Sequence, residues 1–437
     1  MFGTLFGLDK YNIVGVWSMP RIRVEGNHKL SGEIKISGAK NSAVALIPAS
    51  ILCDEVVEIS NVPNISDIDA LEEILNLLGA DVKRNEESVI IDCANTKNVS
   101  IPCELSRKLR ASYYFMGALL GKYKYVDMCF PGGCSIGKRP IDLHLKGFEM
   151  LGATIEDNDD HFIIRADNLV GADIYLDVPS VGATINIMFA AVKAKGKTII
   201  ENAAMEPEIV NVAMLLNNMG AKITGAGTSV ITIRGVKKLH KCIHEVIPDR
   251  IEAGTYVIIG ALLGDNLKVS RLIPSHIESL TSKLEEIGVD MEIGEDYVIV
   301  NSNNINNYEA TDIKTLVYPG FPTDLQQPMV PLLTQCNGIS HIEETVWESR
   351  FANIPDTVKM GANIDVYDNR VATIIGKTNL EGMNVSATDL RGGASMLICG
   401  LIAEGETIID NIEYILRGYN DVVGKLSVVG AKIEFID

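Results

Sequence analysis

The chain has 437 residues, 47% hydrophobic and 22% charged, which is enough apolar content for two or three cores rather than one. Its net charge of −18 argues against nucleic acid and against an anionic membrane surface as partners, since both need a basic footprint. A small anionic substrate stays compatible with that charge, because salt screens exposed charges beyond roughly 8–10 Å and a local arginine cluster governs its own pocket.

Residues 1–18 are interrupted by Asp9 and Lys10 and lack a basic n-region and a small-residue cleavage site, so they read as an extension. Met19 opens the first strand pattern. From there one unit recurs six times, an amphipathic helix with an apolar-Gly-Ala/Val end followed by a strand. The glycines are Gly79, Gly152, Gly220, Gly288, Gly361 and Gly430, spaced 73, 68, 68, 73 and 69 residues apart, so units of about 70 residues nearly fill the chain. In 68–78, Leu71, Ile74, Leu75 and Leu78 share one helical face, and the following glycine suits the residue just past a helix end. Second strands are predicted at Ser88–Asp92, 160–165, 229–234 and Tyr297–Asn301. Glycine-rich helices of small residues are predicted over 180–194, 251–263 and 388–403, with further strands over 196–200 and 405–409. The fold class is α/β, with three βαβ-type units per lobe and a seam near Ile247-Pro248-Asp249. A site at that seam draws on both lobes.

The stretch Phe130-Pro131-Gly132-Gly133-Cys134-Ser135-Ile136-Gly137-Lys138-Arg139-Pro140-Ile141-Asp142-Leu143-His144 joins a strand pattern over 125–130 to a helix starting near Ile141. It matches G-x-x-x-x-G-K from Gly132 to Lys138, but Arg139 stands where a nucleotide-binding loop places the Ser or Thr that holds Mg²⁺. Cys134, between glycines and near Lys138 and Arg139, has the electropositive setting of a reactive thiol, open to proton donation or nucleophilic attack. The eight cysteines, at 53, 93, 103, 129, 134, 242, 336 and 399, contain no C-x-x-C pair, which predicts free thiols in a cytoplasmic protein. His240, Cys242 and His244 have ligand-like spacing without a further cluster, so no metal is expected. No stretch is long and apolar enough to span a bilayer.

Other charged residues beside glycine, proline or small residues are Lys40-Asn41, Arg110, Asp249-Arg250, Asp324, Arg350, Asp389-Leu390-Arg391 and Arg417-Gly418. Together they bring arginines from different units, each able to hold a carboxylate or phosphate in a bidentate fork.

These residues lie in longer motifs: Ser37-Gly38-Ala39-Lys40-Asn41, Leu109-Arg110-Ala111-Ser112, Pro131-Gly132-Gly133-Cys134, Arg139-Pro140-Ile141-Asp142-Leu143-His144, Ser180-Val181-Gly182-Ala183-Thr184, Glu206-Pro207-Glu208, Pro248-Asp249-Arg250-Ile251-Glu252, Phe321-Pro322-Thr323-Asp324, Glu344-Thr345-Val346-Trp347-Glu348-Ser349-Arg350-Phe351, Ala387-Thr388-Asp389-Leu390-Arg391 and Arg417-Gly418-Tyr419. In this order, from about residue 19 to the end, the chain resembles the enolpyruvyl transferase family, in the branch that uses UDP-N-acetylglucosamine. Asn41-Ser42-Ala43-Val44-Ala45-Leu46-Ile47-Pro48 resembles the second form that some Gram-positive bacteria carry.

The resemblance implies two inverted α/β lobes of three repeats each, an inside-out α/β barrel whose first strand crosses lobes. The expected division is 1–18 as extension, 40–247 as the N-terminal lobe with the Cys134 stretch, and 19–39 plus 248–437 as the C-terminal lobe. The implied reaction moves the enolpyruvyl group of phosphoenolpyruvate to the 3′-hydroxyl of UDP-N-acetylglucosamine, with release of phosphate, at the first committed step of peptidoglycan synthesis. No cofactor is implied. Cys134 resembles the family's proton donor, Asp324 the group that orients the sugar hydroxyl and takes its proton, and Asp389 a second carboxylate near the reacting centre. Phosphoenolpyruvate would meet Lys40, Arg139 and Arg417 through its phosphate and Arg350 and Arg391 through its carboxylate, near Asn41. Asn41, Arg110, Arg139, Pro140, Ile141, Asp142, Leu143, Val178, Pro179, Ser180, Val181, Asp324 and Val346 would hold the sugar nucleotide. Val178-Pro179 stands where some members carry a lysine, and Gly392-Gly393 and Leu416 also depart from the pattern. The rivals are the sister transferase acting on shikimate 3-phosphate and a silent paralogue that only binds the sugar nucleotide.

Overall fold

The computed structural model describes residues 20–85, 88–130, 141–158 and 161–437. All six repeat glycines adopt left-handed backbone, with φ from 88° at Gly79 to 112° at Gly361. Each follows a helix (Ser66–Leu77, Asp142–Met150, Pro207–Asn218, Glu278–Ile287, Ile354–Lys359 and Val422–Val428) and precedes an edge strand (Asp81–Arg84, Thr154–Asn158, Lys222–Thr224, Asp290–Ile293, Asn363–Tyr367 and Lys432–Ile436). The closing bonds are those of a helix end, as at Ala80 N–H to Leu75 O, 3.0 Å.

The described strands form six sheets, five of four strands and one of three. The small-residue helices lie inside them. In the N-terminal lobe, Tyr114–Tyr123 packs on Val181–Ala191 and on Lys40–Ala49. In the C-terminal lobe, Thr323–Leu333 packs on Leu390–Ile402 and Arg250–Leu263. These helices are buried nearly all round, which explains their uniform apolarity: they have no solvent face to mark. The small side chains let backbones touch, and a Cβ on Gly117 would lie 2.4 Å from the Asn186 carbonyl oxygen.

Two hydrophobic cores result. One gathers side chains between Ala39 and Val246, the other those from Ile22 to Ile36 with those from Ile251 to Ile433. The first two strands belong to the second core. Arg21–Glu25 sits between Glu406–Asp410 and Lys432–Ile436, with Val24 opposite Ile433, while Leu30–Lys35 runs parallel to Gly264–Ser270.

The chain crosses between cores twice, side by side. Gly38 bridges Pro248, Ala39 N–H donates to Ile247 O at 2.7 Å, and Asp249 N–H donates to Ser37 O at 2.9 Å. Only glycine fits at 38, where a Cβ would stand 1.7 Å from Asn61 O.

One expectation fails. Cys103 and Cys129 form a disulfide, with Cα atoms 5.0 Å apart, so these two thiols are not free. Ile101 pairs in parallel with Met128 and carries Cys103 alongside Cys129, a juxtaposition that a 26-residue separation does not announce. Cys53, Cys93, Cys242, Cys336 and Cys399 carry free thiols.

Candidate active site

The crossing strands end at two helix starts, and the site grows from them. Asp249 caps Arg250–Leu263, one carboxylate oxygen accepting from Ile251 N–H (2.8 Å) and Glu252 N–H (3.0 Å). Its other oxygen accepts from Lys40 N–H at 2.9 Å, which locks the first residue of Lys40–Ala49 to the opposite lobe. Glu252 is buried and binds Ser37 N–H at 2.8 Å and Lys425 Nζ at 2.6 Å.

Lys40 projects to Asp67, in the first turn of Ser66–Leu77. Asp67 accepts from Lys40 Nζ at 2.7 Å on one oxygen and from Arg417 Nε at 2.8 Å on the other, so one carboxylate of the N-terminal lobe ties together cations of both lobes. Burial alone would raise Asp67, which is 4% exposed, but Lys40 and Arg417 hold it below the usual carboxylate range. Lys40 is lowered by burial; Asp67 opposes that, and Arg417 and Arg391 reinforce it.

Asp324 sits in a second cluster, between Arg350 Nη2 at 2.5 Å and Arg391 Nη2 at 3.1 Å. Both arginines are almost fully buried, whereas a quarter of the Asp324 side chain is reachable. Burial opposes the charge of Arg391, yet Asp324 with Tyr419 and Asp249 keeps it more basic than usual. Its guanidinium also lies 5.4 Å from the Tyr419 ring centre. Asp389 caps Leu390–Ile402 through Arg391 N–H (3.0 Å) and Gly392 N–H (3.2 Å), and its other oxygen accepts from Gln327 Nε2 at 3.1 Å. Arg350 Nη1 approaches it at 3.8 Å. Arg250, buried against Glu208 at 3.0 Å and over the Tyr318 ring, adds to the field at Asp324. Two arginines each bring one Nη2 to Asp324, and Arg391 lies near enough to Lys40 to lower it, so this cluster and the Lys40–Asp67–Arg417 cluster concentrate cations of the kind that hold carboxylates and phosphates.

Two helices that carry residues expected on the sugar-nucleotide side, Asp142–Met150 and Val181–Ala191, pack on each other at His144. Ile141 precedes Asp142–Met150, Asp142 is exposed and Leu143 half-buried. Ser180 caps Val181–Ala191 by accepting from Ala183 N–H at 3.3 Å, Val178 is exposed, and Pro179 and Val181 are half-buried. Gly182 packs on His144 so closely that a Cβ would meet the ring at 2.9 Å. Burial and the neighbouring Arg110 push His144 down to about 3, and Asn186 Nδ2 faces its Nδ1 at 2.9 Å. Asn41 is half-buried in the first turn of its helix. Val346 is placed by the buried Glu344, whose Oε1 accepts from the N–H groups of Val346 (2.8 Å) and Trp347 (3.0 Å). Glu344 Oε2 accepts from Thr323 Oγ1 at 2.9 Å, and that same hydroxyl accepts from Arg350 Nε at 3.2 Å.

Cys134, Arg139 and Pro140 lie outside the described residues. His244 has both ring nitrogens against asparagine amides, Asn211 at 2.9 Å and Asn218 at 3.2 Å, and no cluster able to hold a metal occurs among the described residues.

Residues 24–426 match the protein family described as EPSP synthase (3-phosphoshikimate 1-carboxyvinyltransferase). Over 415 residues the chain is 52% identical to the UDP-N-acetylglucosamine 1-carboxyvinyltransferase 2 of Geobacillus kaustophilus, covering 95% of this chain and 96% of that protein. The chain belongs to the enolpyruvyl transferase family. Another relative in the family, UDP-N-acetylglucosamine 1-carboxyvinyltransferase 1 of Streptococcus agalactiae, is 49% identical over 96% of this chain and all of its own. Among solved structures, the enolpyruvyl transferase NikO from Streptomyces tendae superposes with a TM-score of 0.86 at 25% identity, over 95% of this chain and 99% of its own.

Within this enolpyruvyl transferase, motif reading named the arginines and Asp324 but passed over Asp67, Glu344 and His144 as working parts. Asp67 lies in Ser66-Asp67-Ile68-Asp69, where an acidic residue in a first helical turn is ordinary. Its bond to Arg417 spans 350 residues, and no local pattern carries that signal.

Proposed function

We propose that this chain transfers the enolpyruvyl group of phosphoenolpyruvate to the 3′-hydroxyl of UDP-N-acetylglucosamine, releasing phosphate, in the cytoplasm and at the entry to peptidoglycan synthesis. The observation that carries this reading is the pairing of Arg350 and Arg391 with Asp324, together with that of Lys40 and Arg417 with Asp67. The substrate carboxylate takes the two arginines in exchange for Asp324, and its phosphate takes Lys40 and Arg417, joined by Arg139. The freed Asp324 accepts the proton of the sugar hydroxyl as that oxygen attacks C2, while Cys134 gives a proton to the methylene carbon. The methyl group then loses a proton, the carbon–oxygen bond to phosphate breaks, and the cations stabilise the leaving charge. Asp389 keeps Arg350 and Gln327 facing this centre. Arg110, Asn41, 141–143, 178–181 and Val346 hold the sugar nucleotide.

The test is incubation with phosphoenolpyruvate and either UDP-N-acetylglucosamine or shikimate 3-phosphate, following phosphate and intact mass. Phosphate release with the sugar nucleotide alone is expected; release only with shikimate 3-phosphate, or none, overturns the reading. Cys134→Ser should lower turnover by ~10²–10⁴ and abolish a phosphoenolpyruvate adduct and sensitivity to the epoxide fosfomycin. An unchanged adduct assigns it to another cysteine.

A further inference from the structure

The Cys103–Cys129 disulfide does not stand alone. Antiparallel pairing of Tyr125–Cys129 with His161–Arg165 sets His161 directly opposite Cys129, and the two-residue period of the strand puts Asp127 on the same face. Cys129 Sγ lies 3.7 Å from His161 Nδ1, and His161 Nε2 lies 2.5 Å from Asp127 Oδ1. Ser100 Oγ donates to the same Asp127 oxygen at 3.0 Å and fixes it. Cys129 is 3% exposed, whereas Cys103, at the start of Cys103–Lys108, is only partly buried. The two residues therefore differ: Cys103 is partly open to solvent, and Cys129 is buried against an imidazole with a carboxylate behind it.

We propose that Cys103–Cys129 is a reversible thiol–disulfide exchange site for low-molecular-weight thiols, with Cys103 as the sulfur attacked and Cys129 as the leaving thiolate held by His161 and Asp127. The proposal rests on the cytoplasmic reading above only for its setting, since disulfides in reducing compartments are transient, catalytic or sensory rather than structural. An incoming thiol gives its proton to water and bonds as thiolate to Cys103 Sγ; the Cys103–Cys129 bond breaks, its electron pair leaves on Cys129 Sγ, and His161 takes up a proton from water to hold it. The imidazolium then lies between the Asp127 carboxylate and the new thiolate. A second small thiol attacks the outer sulfur of the mixed disulfide, releasing Cys103 as thiol and the oxidised small disulfide. The cysteine pair gains two electrons and two protons, and two small thiols become one disulfide. Burial raises all five free thiols among the described residues: Cys53, Cys93 and Cys242, the latter two to about 11, and Cys336 and Cys399 to about 12. The bond also ties the segment leading to Arg110 to the strand that precedes Cys134 in the chain.

The test treats the full chain, as purified without reductant, with glutathione, then quenches with acid, alkylates, and maps the cysteine peptides by mass. Expected are a Cys103–Cys129 bond at the outset, glutathione on Cys103 as the intermediate, and two new alkylatable thiols at the end. His161→Ala should slow the first exchange about tenfold, because a leaving thiol without its cation departs more slowly. Asp127→Asn should slow it in the same direction, and a circular dichroism spectrum checks that each variant is folded. Glutathione on Cys129 rather than Cys103, an unchanged rate in folded His161→Ala, or failure of oxidised glutathione to form the bond from the reduced protein overturns the proposal. None of these readings depends on phosphate release, so they stand or fall apart from the proposed reaction.

Discussion

Asp67→Asn keeps the shape of the side chain and removes an anion that Lys40 and Arg417 share. Lys40 Nζ stands 2.7 Å from this carboxylate, and among the influences on its basicity burial, Arg417 and Arg391 all favour the neutral amine while Asp67 favours the ammonium. The sign follows directly: taking Asp67 away lowers Lys40 further, so the ammonium is lost at lower pH. An opposite charge at this range is worth about 1–3 pH units in a titrating neighbour, or ~1.4–4 kcal/mol. The alkaline limb of kcat/KM for phosphoenolpyruvate, followed by phosphate release, should therefore move acidward by about one pH unit or more. In the double variant Lys40→Arg with Asp67→Asn that limb should return towards alkaline pH, because a guanidinium does not titrate in this range. A folded Asp67→Asn protein with an unshifted alkaline limb would refute the reasoning and leave Asp67 as a structural tie between lobes.

His144 is held neutral, at about 3 against an ordinary 6.5, so the unfolded chain binds a proton there that the folded chain refuses. Its contribution is fully present above pH 6.5 and is lost as the pH falls towards 3, at ~1.4 kcal/mol per pH unit. His144→Gln should flatten the acid side of urea stability measured from pH 7 to 4.5; an unchanged slope would show that His144 does not supply it. Gly38→Ala places a methyl 1.7 Å from Asn61 O where two crossing strands meet, so it should cost about 4 kcal/mol or more and remove most soluble protein. Normal yield and melting temperature would mean that the crossing yields more readily than its packing implies.

The course of the chain was largely readable beforehand. The glycine spacing marks six helix ends, and the helices and strands predicted around them agree with the structure to within a few residues at each end. The small-residue helices were also readable, though their place at the centre of each lobe is not a periodic feature and came only from packing. In the sequence Asp249 stands out beside Arg250, and Asp389 as a second carboxylate near the reacting centre; that each is a helix cap whose remaining oxygen reaches another element is a matter of three-dimensional contact.

By itself the sequence determined the repeat, the α/β class, the family and the roster of arginines, because left-handed helix ends, amphipathic faces and long motifs are written in neighbouring residues. Tertiary structure alone decided which charges meet. Asp67 is an ordinary acidic residue in a first helical turn until folding carries Arg417 to it, and Cys103 and Cys129 read as free thiols until one parallel bridge sets them side by side. Buried charges find partners because leaving them alone in a low-dielectric interior costs several kcal/mol. That requirement is met by whichever residue the fold brings within about 3 Å, and distance along the chain says nothing about which one it is.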